Sequence, residues 1–195
     1  IQSKNVDVKA LSVQTLLKNF DEPWLMPLLL DALLDQRGQV RDFAYSKEAK
    51  EKIHNAGKMS EAILRALKTE HSSLHEEAEK MMTLYRGAVT EEVVDAWITL
   101  CKQPKSQRDL FFDPVWAKAV KFKKARGIVA YYKETYADNE EKLLRLIERL
   151  GNTDALWVVE ELKEFGNSEE QKLADASFNA SYQHSMSKGK IGRAH

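Results

Sequence analysis

The chain has 195 residues, of which 43% are hydrophobic and 31% are charged. This length and apolar content are enough for a buried core and argue against a wholly disordered chain. Lys and Arg together number 30, as do Asp and Glu, so the formal net charge is zero and the simplest argument for a polyanion-binding protein is removed. The single cysteine, Cys101, excludes an internal disulfide framework and fits either a reducing compartment or a domain whose core suffices without disulfides.

The first part of the chain contains short helical patterns interrupted by Pro23, Pro27 and Gly38. Helices are predicted at about residues 6–19, 23–36, 46–54 and 59–70. Residues 24–34 are more apolar than one face of a short helix requires. We expect this segment either to pack the first block onto the rest of the chain or to form a homodimer contact.

From residue 72 onward, helix start and stop signals follow one another regularly. Each apolar-periodic stretch is preceded by a side chain that can cap a helix and is closed by Gly or Pro. The predicted starts are Ser73, Thr90 and Asp113, and the corresponding stops are Gly87, Pro104 and Gly127.

The clearest helical pattern runs from Asp138 to Gly151. Asp138 with Glu141 is predicted to form a capping box, and Gly151 to end the helix in the left-handed conformation. The apolar side chains that share one arc of this helix are Leu143, Leu144, Leu146, Ile147 and Leu150.

Two more helices are predicted after it. One is opened by Asn152 or Thr153 and ends at Gly166, and the last runs from a capping box at Ser168 to about Met186.

No stretch alternates with the period of two that is typical of a strand. The sequence therefore predicts an all-α fold, a bundle of about eight or nine short helices. We divide it into an irregular N-terminal helical region at 1–71, a regular helical unit at 72–186 and a flexible basic tail at 187–195. No apolar run approaches the ~18 residues that a membrane-spanning helix needs.

Signals for catalysis or for a cofactor are weak. His71 and His75 are four residues apart, but the pair lacks the Glu that follows the first His in zinc-protease helices, so we expect solvated histidines at a helix start. The sequence contains no Gly-rich phosphate loop and no nucleophile elbow. We predict no enzyme activity, no cofactor and no metal.

The charges are unevenly distributed. Residues 114–133 hold six Lys or Arg and no acid, whereas residues 138–170 hold ten acids against four bases. Lys118, Lys121 and Lys124 are predicted to form a basic face on the helix that begins at Pro114. Such a face suits an acidic partner, phosphates or an anionic membrane, although neutralising the nearby acidic helices is the favoured interpretation.

The regular unit also carries aromatic residues on its apolar arcs. Because aromatic side chains at helical spacing usually belong to a core, we expect these residues to define the fold. They are Tyr85, Trp97, Trp116, Tyr132, Tyr136 and Trp157.

Taken in order, these stretches resemble the W, Y and L motifs of oomycete RxLR effectors of the WY/LWY-domain family. Residues 84–100, LYRGAVTEEVVDAWITL, are similar to the opening of the W motif, and residues 109–125, DLFFDPVWAKAVKFKKA, to its second half. Residues 127–150, with Tyr136 at the signature position, resemble the Y motif. Residues 152–165, NTDALWVVEELKEF, together with Phe178 and Tyr182, resemble the L motif.

The resemblance has two departures: Tyr85 stands where the signature Trp is expected, and Ala119 occupies the position of the second helix's Trp. The RxLR and acidic translocation motifs are absent, so we expect the chain to begin after them.

The resemblance implies a WY/LWY-type C-terminal unit in a secreted virulence effector that a plant pathogen delivers into host cells. There it would suppress immunity by binding a host plant protein, without catalysis, in the cytoplasm, in the nucleus or at the plasma-membrane periphery. It implies signature aromatics that hold the fold and exposed faces that select targets. We expect no nucleic-acid partner, and membrane association that is at most peripheral. The alternatives are an intracellular helical adaptor or scaffold and, with less support, a nucleic-acid binder using the basic helix 114–126.

Overall fold

The computed structural model describes residues 4–19, 23–163, 176–184 and 186. In these residues every regular element of secondary structure is a helix and no strand occurs, so the predicted all-α fold is confirmed. The α-helices are α1 Val6–Asn19, α2 Leu25–Ala32, α3 Gly38–Ala44, α4 Lys47–Asn55, α5 Met59–Leu67, α6 Ser72–Leu84, α7 Glu91–Cys101, α8 Asp113–Lys121, α9 Ala125–Thr135, α10 Glu140–Gly151 and α11 Val158–Leu162. A 3-10 helix covers Arg86–Ala88, and residues 176–184 are also helical. None of the helices in these ranges is both long and apolar enough to cross a membrane.

The described residues contain more helices than the eight or nine predicted, for two reasons. The helix predicted at 23–36 is shorter, since α2 ends at Ala32, and α3 follows at residues 38–44, where no helix was predicted. Asp35 makes the turn between them, since its carboxylate accepts hydrogen bonds from the backbone N and from Nε of Arg37, both at 2.9 Å. A side chain that bonds the backbone two residues later favours a turn over a continuing helix.

The second reason is that the helix predicted to run from Asp113 to Gly127 is interrupted. Instead, α8 ends at Lys121, the backbone turns through Lys123 at φ 62°, and α9 begins at Ala125. Gly127 lies inside α9 and does not end a helix. Ala125, the first residue of α9, is already buried, so the change of direction is complete before α9 begins.

The caps agree with the sequence in part. Thr90 Oγ1 accepts a hydrogen bond from Val93 N, as predicted for the start of α7. α10 is capped by Asn139, whose Oδ1 accepts from Lys142 N at 3.0 Å, and not by Asp138. Asn and Asp are equally good caps, so neighbouring residues of this kind leave the start of a helix open by one position.

The segment after α10 differs from its prediction. α11 begins at Val158, not at residue 152 or 153, because Thr153 donates its hydroxyl back to the carbonyl oxygen of Arg149 at 2.7 Å. The predicted stop at Gly166 and the predicted cap at Ser168 lie outside the described residues, as does the tail at 187–195.

The chain divides into two compact units, Ile1–Ala119 and Val120–His195, and the boundary falls within α8. It does not coincide with the division predicted near His71, because α5 packs against α6 and α7 and thus joins residues on both sides of His71. The apolar α2 packs against α1, α3 and α4 within the first unit. Fully buried side chains in the first unit include Leu29, Leu33, Ile53, Ile63, Leu74 and Trp97, and in the second Ile128, Leu146, Ile147 and Leu150.

Candidate protein-binding surface

Three of the six predicted fold-defining aromatics are buried: Trp97, Trp116 and Tyr132. Trp97 donates from Nε1 to the carbonyl oxygen of Asp109 at 2.9 Å, and its ring lies 5.1 Å from that of Phe112. Trp116 makes an edge-to-face contact with Phe111 at 5.3 Å. These contacts hold the segment before α8 against α7 and α8, so Trp97 and Trp116 lie in the core and not on a binding surface.

The other three aromatics, Tyr85, Tyr136 and Trp157, are half-buried. The ring of Tyr85 lies 4.7 Å from His54, and the ring of Tyr136 lies 4.6 Å from Tyr132. The Arg126 guanidinium lies 5.9 Å from the centre of the Trp157 ring. Each ring therefore has a neighbour inside its own unit, which leaves less of it to offer to a partner.

A polar cluster that the sequence did not suggest surrounds Arg108. Its guanidinium donates to Glu79 Oε2 at 2.8 Å and to Ser72 Oγ at 3.0 Å. Burial raises the pKa of Glu79, although the Arg108 charge opposes that shift. The pair joins residues 29 positions apart, a separation that no local pattern indicates. Its role is to fix the segment before α8 to α6.

The histidines near this cluster differ from the expectation that both would be solvated. His71 is exposed, but His75 is only 7% exposed and its Nε2 lies 2.7 Å from the carbonyl oxygen of Thr69. His75 is buried because it lies on the apolar face of α6, next to Leu74 and Ala78 in the core. In the described part of the chain, no group of three or more His, Cys, Asp or Glu side chains could hold a metal ion.

Cys101 lies half-buried at the end of α7. Burial, followed by the charges of Asp109 and Glu79, raises the pKa of its thiol to about 12. A thiol with this pKa is protonated at neutral pH, and the thiolate is the nucleophilic form. Cys101 in this setting behaves as a small apolar side chain.

The basic region divides into two parts, of which the first is neutralised within its own unit. Arg126 lies 3.4 Å from Glu160 and 3.6 Å from Glu161, and Lys133 Nζ lies 3.1 Å from Glu161. For these two cations, the interpretation that the basic segment balances the acidic helices agrees with the geometry.

The second part is the set of lysines predicted as a binding face. Lys118 and Lys121 lie on α8, half-buried and exposed respectively, but Lys124 is the N-cap residue of α9. The expected single helical face is therefore wrong, because the turn at Lys123 separates Lys124 from the other two. Among the described residues, no ion-pair partner faces Lys118, Lys121 or Lys123. We call Lys118 and Lys121, which lie three residues apart on α8, the basic patch.

Large apolar side chains are also exposed at separate points on both units. They are Val8, Leu11, Trp24, Leu84, Leu156, Tyr182 and Met186. Single exposed apolar residues are normal on a protein surface. Trp24 differs from the rest because it is the largest and because both of its chain neighbours line a groove.

The basic patch and the surface around Trp24 are thus two features of the described residues that could serve a partner. Comparison of the chain with known protein families, with characterised proteins and with solved structures found no match.

Proposed function

We propose that the chain is a non-catalytic protein-binding effector of the WY/LWY type, the class that its W, Y and L patterns resemble. It is secreted by a plant pathogen, enters host cells and suppresses immunity by binding a host plant protein. The observation that carries the proposal is the basic patch, whose two lysines have no ion-pair partner among the described residues, although Arg126 and Lys133 further along the chain are paired.

The chemistry of the patch favours an acidic protein surface as the partner. Lys118 and Lys121 are three residues apart on α8, a spacing that brings two ammonium groups to neighbouring positions on one helix face. Unpaired surface cations steer an oppositely charged partner and set the register of binding, with their main effect on association rate and specificity.

The test compares proteins that a tagged chain retains from plant extracts. The test variant is Lys118→Glu with Lys121→Glu, and the control is Lys68→Glu with Lys105→Glu. The control makes the same change in net charge at two exposed lysines outside the patch. We expect a host protein that the wild type and the control retain and that the test variant loses. Circular dichroism checks that all three chains are folded.

Two results would contradict the proposal: the wild type retains no plant protein above a blank matrix, or the two double variants retain it equally. The same variants expressed in leaves extend the test to immunity, because the control and not the test variant should still suppress the oxidative burst. A complete gene without a secretory signal would contradict the secretion part alone.

The same chains also test the nucleic-acid alternative. Binding through phosphates weakens with salt by about one unit of log–log slope for each phosphate contacted. Under the proposal, we expect the wild type to bind neither duplex DNA nor RNA at physiological salt. Tight binding with a steep salt dependence that the test variant loses would favour the alternative instead.

A further inference from the structure

A groove of about 860 Å³ opens on the first unit between the end of α1, α2 and α4. Apolar side chains line part of it, among them Leu17, Met26 and Leu29. Charged side chains of both signs also line it, among them Lys18, Glu48 and Lys58. Apolar clefts bordered by polar groups are the usual form of a binding site.

Trp24 lies next to this groove in the chain and is exposed. Its neighbours Pro23 and Leu25 both line the groove, whereas Trp24 itself is 52% exposed. Tryptophan is the residue type most enriched among the side chains that dominate binding energy, and each one buries roughly 150–250 Å² when covered. An exposed Trp and a groove of mixed apolar and charged lining are therefore neighbours on the first unit.

A face that carries both a projection and a groove can complement itself under two-fold symmetry, because each copy then offers its projection to the groove of the other. The lining charges favour the same occupant. Lys18 and Glu48 provide both signs, so a second copy can meet each charge with its opposite, whereas a purely acidic or purely basic segment would meet like charges.

We propose that a second copy of this chain occupies the groove, in a symmetric homodimer in which Trp24 of each copy inserts into the groove of its partner. None of the residues that line the groove belongs to the basic patch, so the homodimer and the host complex are tested with different variants.

The first experiment measures the mass of the intact chain by sedimentation over a concentration series. We expect a monomer–dimer equilibrium whose dissociation constant rises at least tenfold in Trp24→Ala. Because Trp24 is exposed, this change should leave the helical circular dichroism signal intact. The control is Leu156→Ala, an 89% exposed apolar side chain in the second unit, which should dimerise as the wild type does.

A mixing experiment tests whether Trp24 enters the groove of the second copy or only contacts Trp24 of that copy at the symmetry axis. Met26→Lys places a charge in the groove but keeps Trp24, whereas Trp24→Ala keeps the groove. Each variant alone should be monomeric, and an equimolar mixture should recover heterodimer through one intact contact.

Several outcomes would overturn the proposal. A wild type that is monomeric at every concentration would contradict the homodimer. A Trp24→Ala chain that dimerises as strongly as the wild type would contradict the role given to Trp24. If the mixture of the two variants forms no more dimer than each variant alone, the insertion of Trp24 into the groove is contradicted.

Discussion

Each unit of the chain is stabilised internally by different means. In the first, partly buried charges join segments that are distant in the sequence: Asp35 binds Lys9, and Arg108 binds Glu79. In the second, α10 presents a continuous leucine and isoleucine face, and the helix at 176–184 approaches it at Gly151. The first unit should therefore be sensitive to the ionisation of particular carboxylates, and the second to the size of particular side chains.

The largest effect is expected in the core of the first unit, for Trp97→Ala. This change removes a fully buried ring and leaves the carbonyl oxygen of Asp109 without its donor. Losses of about 3–5 kcal/mol in the free energy of unfolding are typical of such truncations. Chemical denaturation measures the loss, with the exposed Tyr182→Ala as a control that should change stability by less than about 0.5 kcal/mol. A Trp97→Ala chain as stable as the wild type would contradict the placement of this ring.

The next effect concerns Asp35, whose carboxylate is 8% exposed. The Arg37 guanidinium beside it, with the Lys9 ammonium, holds the pKa of this carboxyl well below its usual range although burial opposes the shift. A depressed pKa means that the unfolded chain takes up the proton first as the pH falls. The stabilisation from Asp35 is therefore complete above about pH 4, the pKa of an unfolded Asp, and is lost progressively below it.

Asp35→Asn should remove that acid-sensitive part. Near neutral pH we expect a loss of roughly 1–3 kcal/mol, the range for breaking a hydrogen bond to a charged group. The wild type and the variant should converge as the pH falls below about 4. The exposed Asp138→Asn is the control, and stability curves that stay parallel down to pH 2 would contradict the role given to Asp35. Glu79 acts with the opposite sign, because burial raises its pKa.

The contacts of these two carboxylates also show which parts of the structure the sequence could predict. Capping residues and apolar periodicity act within one or two turns, so α1, α7 and α10 were placed almost entirely from local signals. The Arg108–Glu79 pair joins residues 29 positions apart, and its partners are ordinary surface residue types until the fold brings them together.

The candidate surface was predictable to a similar extent. The excess of lysine after Pro114 is visible in the sequence, but the separation of Lys124 from Lys118 and Lys121 depends on a turn at a non-glycine residue. A left-handed backbone at Lys123 is not what its residue type favours. The groove beside Trp24 arises from the packing of three helices, which no local pattern specifies.

Gly151 tests the second unit. It was predicted to end α10 in the left-handed conformation. Instead it is the last residue of the helix, and its lack of a side chain lets Ser177 of the helix at 176–184 come close. A Cβ atom at this position would lie 2.4 Å from Ser177 Cβ and 3.0 Å from Ser177 Cα, and the Gly151 carbonyl oxygen accepts a hydrogen bond from Ser181 at 2.6 Å. Because the Ser177 backbone cannot rotate away, any side chain at position 151 should displace the helix at 176–184.

Gly151→Ala should therefore cost about 1–3 kcal/mol, as overpacking does, and should increase hydrogen exchange at residues 176–184. Gly127→Ala is a control with the opposite sign. Gly127 is exposed within α9 with no atom within 4 Å of its Cβ position, so the change should gain up to about 1 kcal/mol of helix propensity. Equal effects of the two substitutions would show that the contact with Ser177 is unimportant.

The smallest effect is expected at Lys123, where the chain turns from α8 into α9. Its φ of 62° places a long side chain in the left-handed region, which costs an L-residue about 1–2 kcal/mol. Lys123→Gly should relieve that cost, whereas the greater conformational freedom of glycine in the unfolded chain should lower the stability by roughly 0.5–1 kcal/mol. The net expectation is a gain of a few tenths to about 1 kcal/mol in unfolding free energy, measured against Lys105→Gly, whose backbone is not in that region. A loss of stability would mean that the Lys123 side chain makes a contact worth more than the strain of its backbone. It would also make Lys123 a structural residue of the turn.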